Sequence, residues 1–471
     1  MSMESRKIGV NTVFNAIGGV GVQLITVVTG IFVARHFGAK SFGQLTFVAT
    51  IIGYFTLITE FGMSTIAIRN VAKTGKPENF LISYIFVRCI IALIAFIGLI
   101  ILVLAIQFPR DIVMLLFAYY LTIPLQIFKL NWVYYSQQDM LMDNVFLVTE
   151  KVAYALSIFT LVYFIKWIVL VPVSIAVSIL FVNVISWAVF VRKSEQGIAW
   201  RLDGPFMRDM VTHGWPVGVA GAALQTNSNV DSLFVNAYHG NLQTGLYGAA
   251  YRLINPVITA GTFFTGAVFP EACKRYEESP SSLSDFIGYS SKLILFMVAP
   301  AIITLTVSSR EIIAMIFGAE YAGASVPFRL LVWGAGMAII CRLFHNTLVA
   351  CGKQKCFMKL ILISAVFNLI CNFILIPPYG IAGAAIATVV TELLLLIMTS
   401  YVLGKTLNAN MWMHSLPVMG CSLVASASFF LPIPLYINIP IFLTGYIFLV
   451  TIFRVFGDRE RNIVRLYFRK T

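Results

Sequence analysis

Nine ionisable residues inside long apolar runs need an account: Glu60, Arg88, Lys129, Glu150, Lys151, Asp231, Arg252, Arg342 and Glu392. An ionised side chain in hydrocarbon is costly, so each must pair, reach the interface or line water. A guanidinium presents a planar fork that fits phosphate oxygens. A carboxylate in the same setting can carry a proton or balance a cation. Neutral polar stripes add a second chemistry. Asn11, Asn15, Thr26 and Thr29 recur at near-helical spacing on the first apolar run, and Gln225, Asn229, Ser232 and Asn236 follow i, i+4, i+7, i+11 on a later one. Such amides and hydroxyls bond either a neighbouring helix or the hydroxyls of a ligand. No nucleophile or metal pattern accompanies them. The seven cysteines lack paired metal spacing, and the five histidines form no HExxH. No catalytic residue, metal or cofactor is expected, beyond coupling to a proton or another cation.

These residues need apolar helices to hold them. Of 471 residues 59% are hydrophobic and 11% charged, with a net charge of +13. A soluble domain carries about 25% charged residues, so soluble and disordered classes are both excluded. Residues 8–34, 167–191 and 406–453 carry no formal charge at all. At about 20 residues per crossing, the last run holds two spans, divided at Pro432, Pro434 and Pro440. Fourteen spans are expected. Six lie near 11–34, 43–68, 81–106, 111–135, 144–165 and 168–191. Six more lie near 213–236, 246–270, 290–308, 327–350, 357–376 and 380–404, and a last pair near 413–431 and 436–453. Lys and Arg favour the segments on the N-terminal side by about four to one, which puts both termini in the cytosol. The basic tail from Arg454 to Lys470 then faces anionic lipid, and nucleic acid is not an expected partner. The first apolar run is too long for a cleaved signal peptide.

The chain also repeats itself at an offset of 202 residues. Ile31–Gly43 (IFVARHFGAKSFG) aligns with Leu233–Gly245 (LFVNAYHGNLQTG), with Phe32/Phe234, Val33/Val235, Gly38/Gly240 and Gly43/Gly245 identical. Both segments join the first and second helix of a six-helix block, and each glycine pair is expected to permit a tight turn. Two blocks of even helix number enter from the same side. They predict parallel lobes related by a pseudo-two-fold along the membrane normal. The expected organisation is an N-lobe over 1–191, a cytosolic linker over 192–212, a C-lobe over 213–404, and an accessory helix pair with its tail over 405–471.

Several segments carry a resemblance. Asn11–Lys73, with Ala34-Arg35-His36-Phe37-Gly38, Phe42-Gly43 and Glu60-Phe61-Gly62-Met63, resembles the opening of the polysaccharide transporter family, which includes Wzx-type O-antigen flippases. Ile316–Tyr321 (IFGAEY), Asn346–Lys355 (NTLVACGKQK) and Tyr379–Glu392 (YGIAGAAIATVVTE) resemble later family segments in order and spacing. The resemblance implies the multidrug/oligosaccharidyl-lipid/polysaccharide exporter superfamily, with an all-α, MATE-like pair of six-helix lobes. It implies a flippase of the bacterial inner membrane moving undecaprenyl-pyrophosphate-linked oligosaccharide to the periplasmic leaflet. Membrane lipids, a polysaccharide polymerase and a chain-length regulator are the partners it implies. A drug/cation antiporter of the related multidrug and toxin extrusion family is the nearest alternative. Its organic cations would need an acidic cavity, whereas Lys and Arg predominate among these in-span charges. A membrane glycan polymerase or ligase would need a long periplasmic loop, which the spacing denies.

Each candidate then has two readings. Arg88 and Lys129 could dock a diphosphate at a cytosolic vestibule beside Glu60, or they snorkel and pair between helices. Asp231 and Arg252, at equal depth on consecutive helices, form a gate or a fixed salt bridge. Arg342 either binds diphosphate in a hydrated cavity or pairs with Glu392, which could also couple protons. Asn15, Thr26, Gln225, Asn229 and Ser232 either face sugar or bond other helices.

Overall fold

The computed structural model describes residues 3–194, 197–408, 410 and 412–457, with side chains from Gly18 onward. The described residues are helical throughout apart from short connections. The helices are α1 (Met3–Glu60), α2 (Met63–Thr74), α3 (Leu81–Ile106), α4 (Arg110–Tyr120), α5 (Thr122–Ile127), α6 (Asn131–Ser136), α7 (Met140–Ser157) and α8 (Leu170–Lys193). They continue as α9 (Gly204–Glu278), α10 (Pro280–Val307), α11 (Ser309–Phe317), α12 (Ser325–Ala350), α13 (Gln354–Leu407), α14 (Leu416–Ser426) and α15 (Leu435–Ile452). Ten helical stretches among the described residues are long and apolar enough to cross a membrane. Their apolar side chains point outward. On α3, Leu93, Ile94, Ile97, Ile101 and Leu104 are each more than half exposed, while Tyr84, Arg88, Ala92 and Leu99 are buried. An outside this apolar suits lipid and not water.

Three of the ten stretches are long enough for two crossings, and each bends at one glycine. Gly38 in α1 has φ 77°, ψ 170°, Gly240 in α9 has φ 75°, ψ −175°, and Gly380 in α13 has φ 56°, ψ −134°. These conformations are open essentially to glycine alone, so each fixes the corner of a helical hairpin. The expected turns at Gly38 and Gly240 are therefore present, and in matching geometry. Gly43 and Gly245 do otherwise. Both lie within helix at negative φ. A side chain on either would strike backbone of the other hairpin, so close approach and not turning is what they permit. The span expected near 413–431 is a shorter apolar helix, Leu416–Phe430.

One span is broken where no break was expected. The stretch Arg110–Ser136 runs as α4, α5 and α6, interrupted around Phe128–Leu130. Pro124 removes one backbone donor there. Side chains of α8 bond carbonyls at the break: Asn183 Nδ2 donates to Leu125 O at 2.7 Å and Trp187 Nε1 to Phe128 O at 2.8 Å. Such repair is required for irregular backbone at membrane depth.

The chain divides into two compact units, Met1–Gly248 and Ala249–Thr471, with the division inside α9. Within the first, the segment joining α8 to α9 is stitched across the α2–α3 connection. Ser194 Oγ donates to Glu78 Oε1 and Ala199 N to Glu78 O, both at 3.3 Å, and Asp203 N donates to Ser83 Oγ at 2.8 Å. Arg69 Nη2 and Asn70 Nδ2 then both donate to Asp209 Oδ2, at 2.9 and 2.7 Å. Beneath them α2, α3, α6 and α8 share a core around Tyr84, Trp132, Tyr134 and Phe190, which Phe206 and Met210 of α9 complete. Within the second unit, α14 and α15 dock on α10. Ser415 and Ser291 hydroxyls meet at 3.2 Å, and Tyr446 OH donates to Phe296 O at 3.1 Å.

Candidate functional site

In the Ala249–Thr471 unit, α12 carries Arg342 with its side chain exposed, and Nη1 donates to Thr262 Oγ1 at 2.8 Å. Thr262 in turn donates to Ile258 O at 3.0 Å, so its remaining lone pair is presented to the guanidinium. Thr262 belongs to an exposed face of α9 on which Asn255, Thr259, Thr262 and Gly266 recur at i, i+4, i+7, i+11. One turn beyond Arg342, Asn346 Nδ2 donates to Thr265 O at 3.2 Å and ties α12 to that part of α9. Glu392 on α13 is half-buried and within electrostatic reach of Arg342. Among the described residues the two form no ion pair, and Arg342 stays exposed. An exposed guanidinium beside a ladder of amides and hydroxyls can hold a phosphate and, next to it, sugar hydroxyls.

The other arginines and lysines are placed differently. Arg88, buried on α3, donates from Nε to Thr59 O at 3.2 Å and from Nη1 to Tyr84 OH at 2.9 Å, with its carbon 5.4 Å from the Tyr84 ring centre. It staples α3 to the end of α1. Glu60, the last residue of α1, accepts from Ser64 Oγ at 2.6 Å. Lys129, in the break of the fourth span, pairs with Glu150 at 2.6 Å, and Lys151 joins from the other side at 3.1 Å. Asp231 is fully buried and accepts from Tyr247 OH at 2.7 Å. Arg252 is half-buried on α9.

The neutral candidates also divide. Thr26 is half-buried and donates to Val22 O on its own helix, at 2.8 Å. Gln225 is half-buried, its Nε2 2.9 Å from where a Cβ on Gly53 would stand. Asn229 is half-buried, Ser232 is buried, and Asn236 donates to Asn241 Oδ1 and Thr244 Oγ1. Asn15 lies outside the residues whose side chains are described.

Three features escaped the sequence reading. The Asn255–Thr259–Thr262 face has the same spacing as the stripe from Gln225, and that spacing could have found it. Asp143, buried on α7 and bonded by Asn131 Nδ2 at 2.7 Å, sits in a helix end that reads as loop. Lys292 is buried on α10, its Nζ 5.3 Å from the Phe456 ring centre, and it stands at the first turn of the span expected near 290–308, where a charge reads as interfacial.

Over 204 residues the chain is 28% identical to the uncharacterized membrane protein MJ1068 of Methanocaldococcus jannaschii, covering 43% of this chain and 40% of that protein. Over 160 residues it is 26% identical to the probable low-salt glycan biosynthesis flippase Agl15 of Haloferax volcanii, 34% of each chain. The capsular polysaccharide biosynthesis protein CapF of Staphylococcus aureus is 22% identical over 193 residues, 40% of this chain and 47% of CapF. The chain thus spans less than half the length of the curated relatives it matches. Among solved structures, the lipid II flippase MurJ in an inward closed conformation superposes with a TM-score of 0.73 at 16% identity, covering 96% of this chain and all of that one. An outward-facing multidrug resistance MATE family transporter of the MOP superfamily gives 0.57 at 16% identity, covering 87% of this chain and 98% of that one. The fold is therefore that of the MurJ and MATE transporters. A family profile described as polysaccharide biosynthesis protein matches residues 8–273, more than half of the sequence, and the chain belongs to that family.

Proposed function

We propose that this protein is a non-enzymatic flippase for a lipid-linked oligosaccharide, and that its substrate is an undecaprenyl-pyrophosphate-linked repeat unit of a surface polysaccharide such as O-antigen. The single observation that carries this reading is Arg342, a guanidinium exposed within a membrane span and flanked by the Asn255–Thr259–Thr262 ladder. The diphosphate meets Arg342, the sugars meet the ladder, and the prenyl tail stays in lipid. That division follows from cost, since sugars and phosphates cannot enter hydrocarbon unaided and the tail need not leave it. Alternating access carries the headgroup from the cytosolic to the periplasmic leaflet of the inner membrane, with both termini in the cytosol. Arg252 assists at the periplasmic side, Asp231 serves gating, Glu392 serves coupling to a proton or another cation, and a polymerase and chain-length regulator receive the product. Arg88 and Lys129, already bonded, assist less.

Deleting the gene tests the reading. Lipid-linked repeat units should accumulate on the cytosolic leaflet, and their absence would refute the assignment. Arg342→Ala should lower flipping by about tenfold or more, the worth of one charge-assisted contact, while the protein still inserts and purifies normally. Wild-type flipping by that variant removes Arg342 from the site. Robust efflux of a cationic dye would favour a drug antiporter instead.

A further inference from the structure

Three helices of the Ala249–Thr471 unit leave a cavity of about 450 Å³ between them. Its walls include Gly261 and Phe264 of α9, Met297 and Ala301 of α10, and Ala335 and Ile339 of α12. No residue that lines it carries a side-chain nitrogen or oxygen. Close-packed interiors hold few voids larger than a water molecule. Small residues keep this one open, since Ala260, Gly261, Ala301 and Ala335 stand on its walls where larger side chains would meet. Its size is that of a small-molecule pocket, about 300–1,000 Å³. Ala260, Met297 and Ala301 are exposed, so the cavity is open along that edge.

One end of the cavity adjoins the Arg342 site. Val332, Ala335 and Ile339 line it at i, i+3 and i+7 of α12, and Arg342 continues the same stripe at i+10. On α9, Gly261 lines the cavity, and Thr262, the next residue, accepts from Arg342 Nη1. A Cβ on Gly261 would stand 2.5 Å from Ile339 Cγ1, so the two helices touch there. A guanidinium with an apolar cavity beside it is the complement of an amphiphile with an anionic head. Depth selects among amphiphiles. At 1.5 Å per residue, Arg342 lies about 7 Å from the midpoint of α12. A phospholipid keeps its phosphate at the edge of a hydrocarbon core about 30 Å thick, well outside that position. A head carried through the membrane does reach it.

We propose that this cavity binds the isoprenoid units next to the diphosphate of the lipid-linked substrate, and holds them while the diphosphate meets Arg342. The inference rests on the transport reading and names the part of the carrier chain that the protein grips. The rest of the chain stays in lipid. Among the described residues, none that lines the cavity comes from α14 or α15. Recognition of the carrier in this way is independent of which sugars follow.

A farnesyl diphosphate carrying a benzophenone on its chain tests it. The probe is photolysed with the full-length protein in phosphatidylcholine vesicles, and the cross-linked peptides are read by mass spectrometry. Adducts should concentrate on residues 256–264, 297–305 and 332–339. They should fall about tenfold with Arg342→Ala, which removes the anchor, and with Ala301→Trp, which fills the cavity. Ala260→Trp fills it from α9 and should act alike, and because both alanines are exposed both variants should fold. Excess unlabelled farnesyl diphosphate should displace the probe, and the same excess of phosphatidic acid should not. Adducts outside these segments, or adducts undiminished by Arg342→Ala or by both tryptophan variants, would overturn the assignment. Equal displacement by phosphatidic acid would do the same, because the cavity would then be a phospholipid site. If the adducts behave as expected while gene deletion accumulates no lipid-linked units, the isoprenoid cavity stands and the flippase reading falls. If the units accumulate while the adducts lie elsewhere, the flippase reading stands and the cavity assignment falls.

Discussion

Glu150 and Arg342 stand for the two fates of charge in this protein. Glu150 is buried with a lysine on either side, so removing it strands two cations at membrane depth. Glu150→Ala should cost about 3 kcal/mol, the scale for breaking a buried pair, seen as a lower unfolding midpoint in detergent. Arg342 is exposed with one neutral partner, and its loss should leave that midpoint nearly unchanged while transport falls. The sequence marks all of these positions, because charge in an apolar run is conspicuous. It does not tell which are consumed by neighbours. Arg88 and Arg342 look alike in one dimension. Their difference depends on Tyr84 and the Thr59 carbonyl engaging one inside the helix packing, while the other stays exposed and donates to the Thr262 hydroxyl.

At the scale of the element, the hairpins were legible through glycine and the broken helix was not. Gly38 and Gly240 share a 202-residue spacing and nearly the same φ and ψ, so alanine should harm both alike. Each substitution should cost about 1–3 kcal/mol, because that backbone region excludes side-chained residues. Thermal unfolding of the two single variants would check this, and unequal losses would mean the corners are held by different forces. Gly43 and Gly245 show the limit of such reading. Their recurrence was visible, but a glycine kept for a turn and a glycine kept for a close approach look identical in sequence. The break near Lys129 hid for a related reason. Its carbonyls are repaired by Asn183 and Trp187, more than fifty residues away, and a local window cannot see partners so distant.

At the scale of the whole molecule, composition alone placed the chain in the membrane, since 11% charge cannot cover a water-facing surface. What it left open was how the helices after the midpoint are held to those before it. The joining segment looked like a tether, with four basic residues and no apolar run. Instead it is fastened at Glu78, Ser83 and Asp209, and Phe206 and Met210 sit in the core beneath. These contacts predict that covalent continuity at this point is dispensable for assembly. Two polypeptides covering residues 1–194 and 197–471, produced together, should copurify through a tag on either one and restore flipping to about a tenth or more of the intact chain. Failure to copurify would show that the peptide link itself holds the parts together. Success would make gene fission, or the reverse fusion of two ancestral halves, a short mechanical step for a chain that already repeats itself.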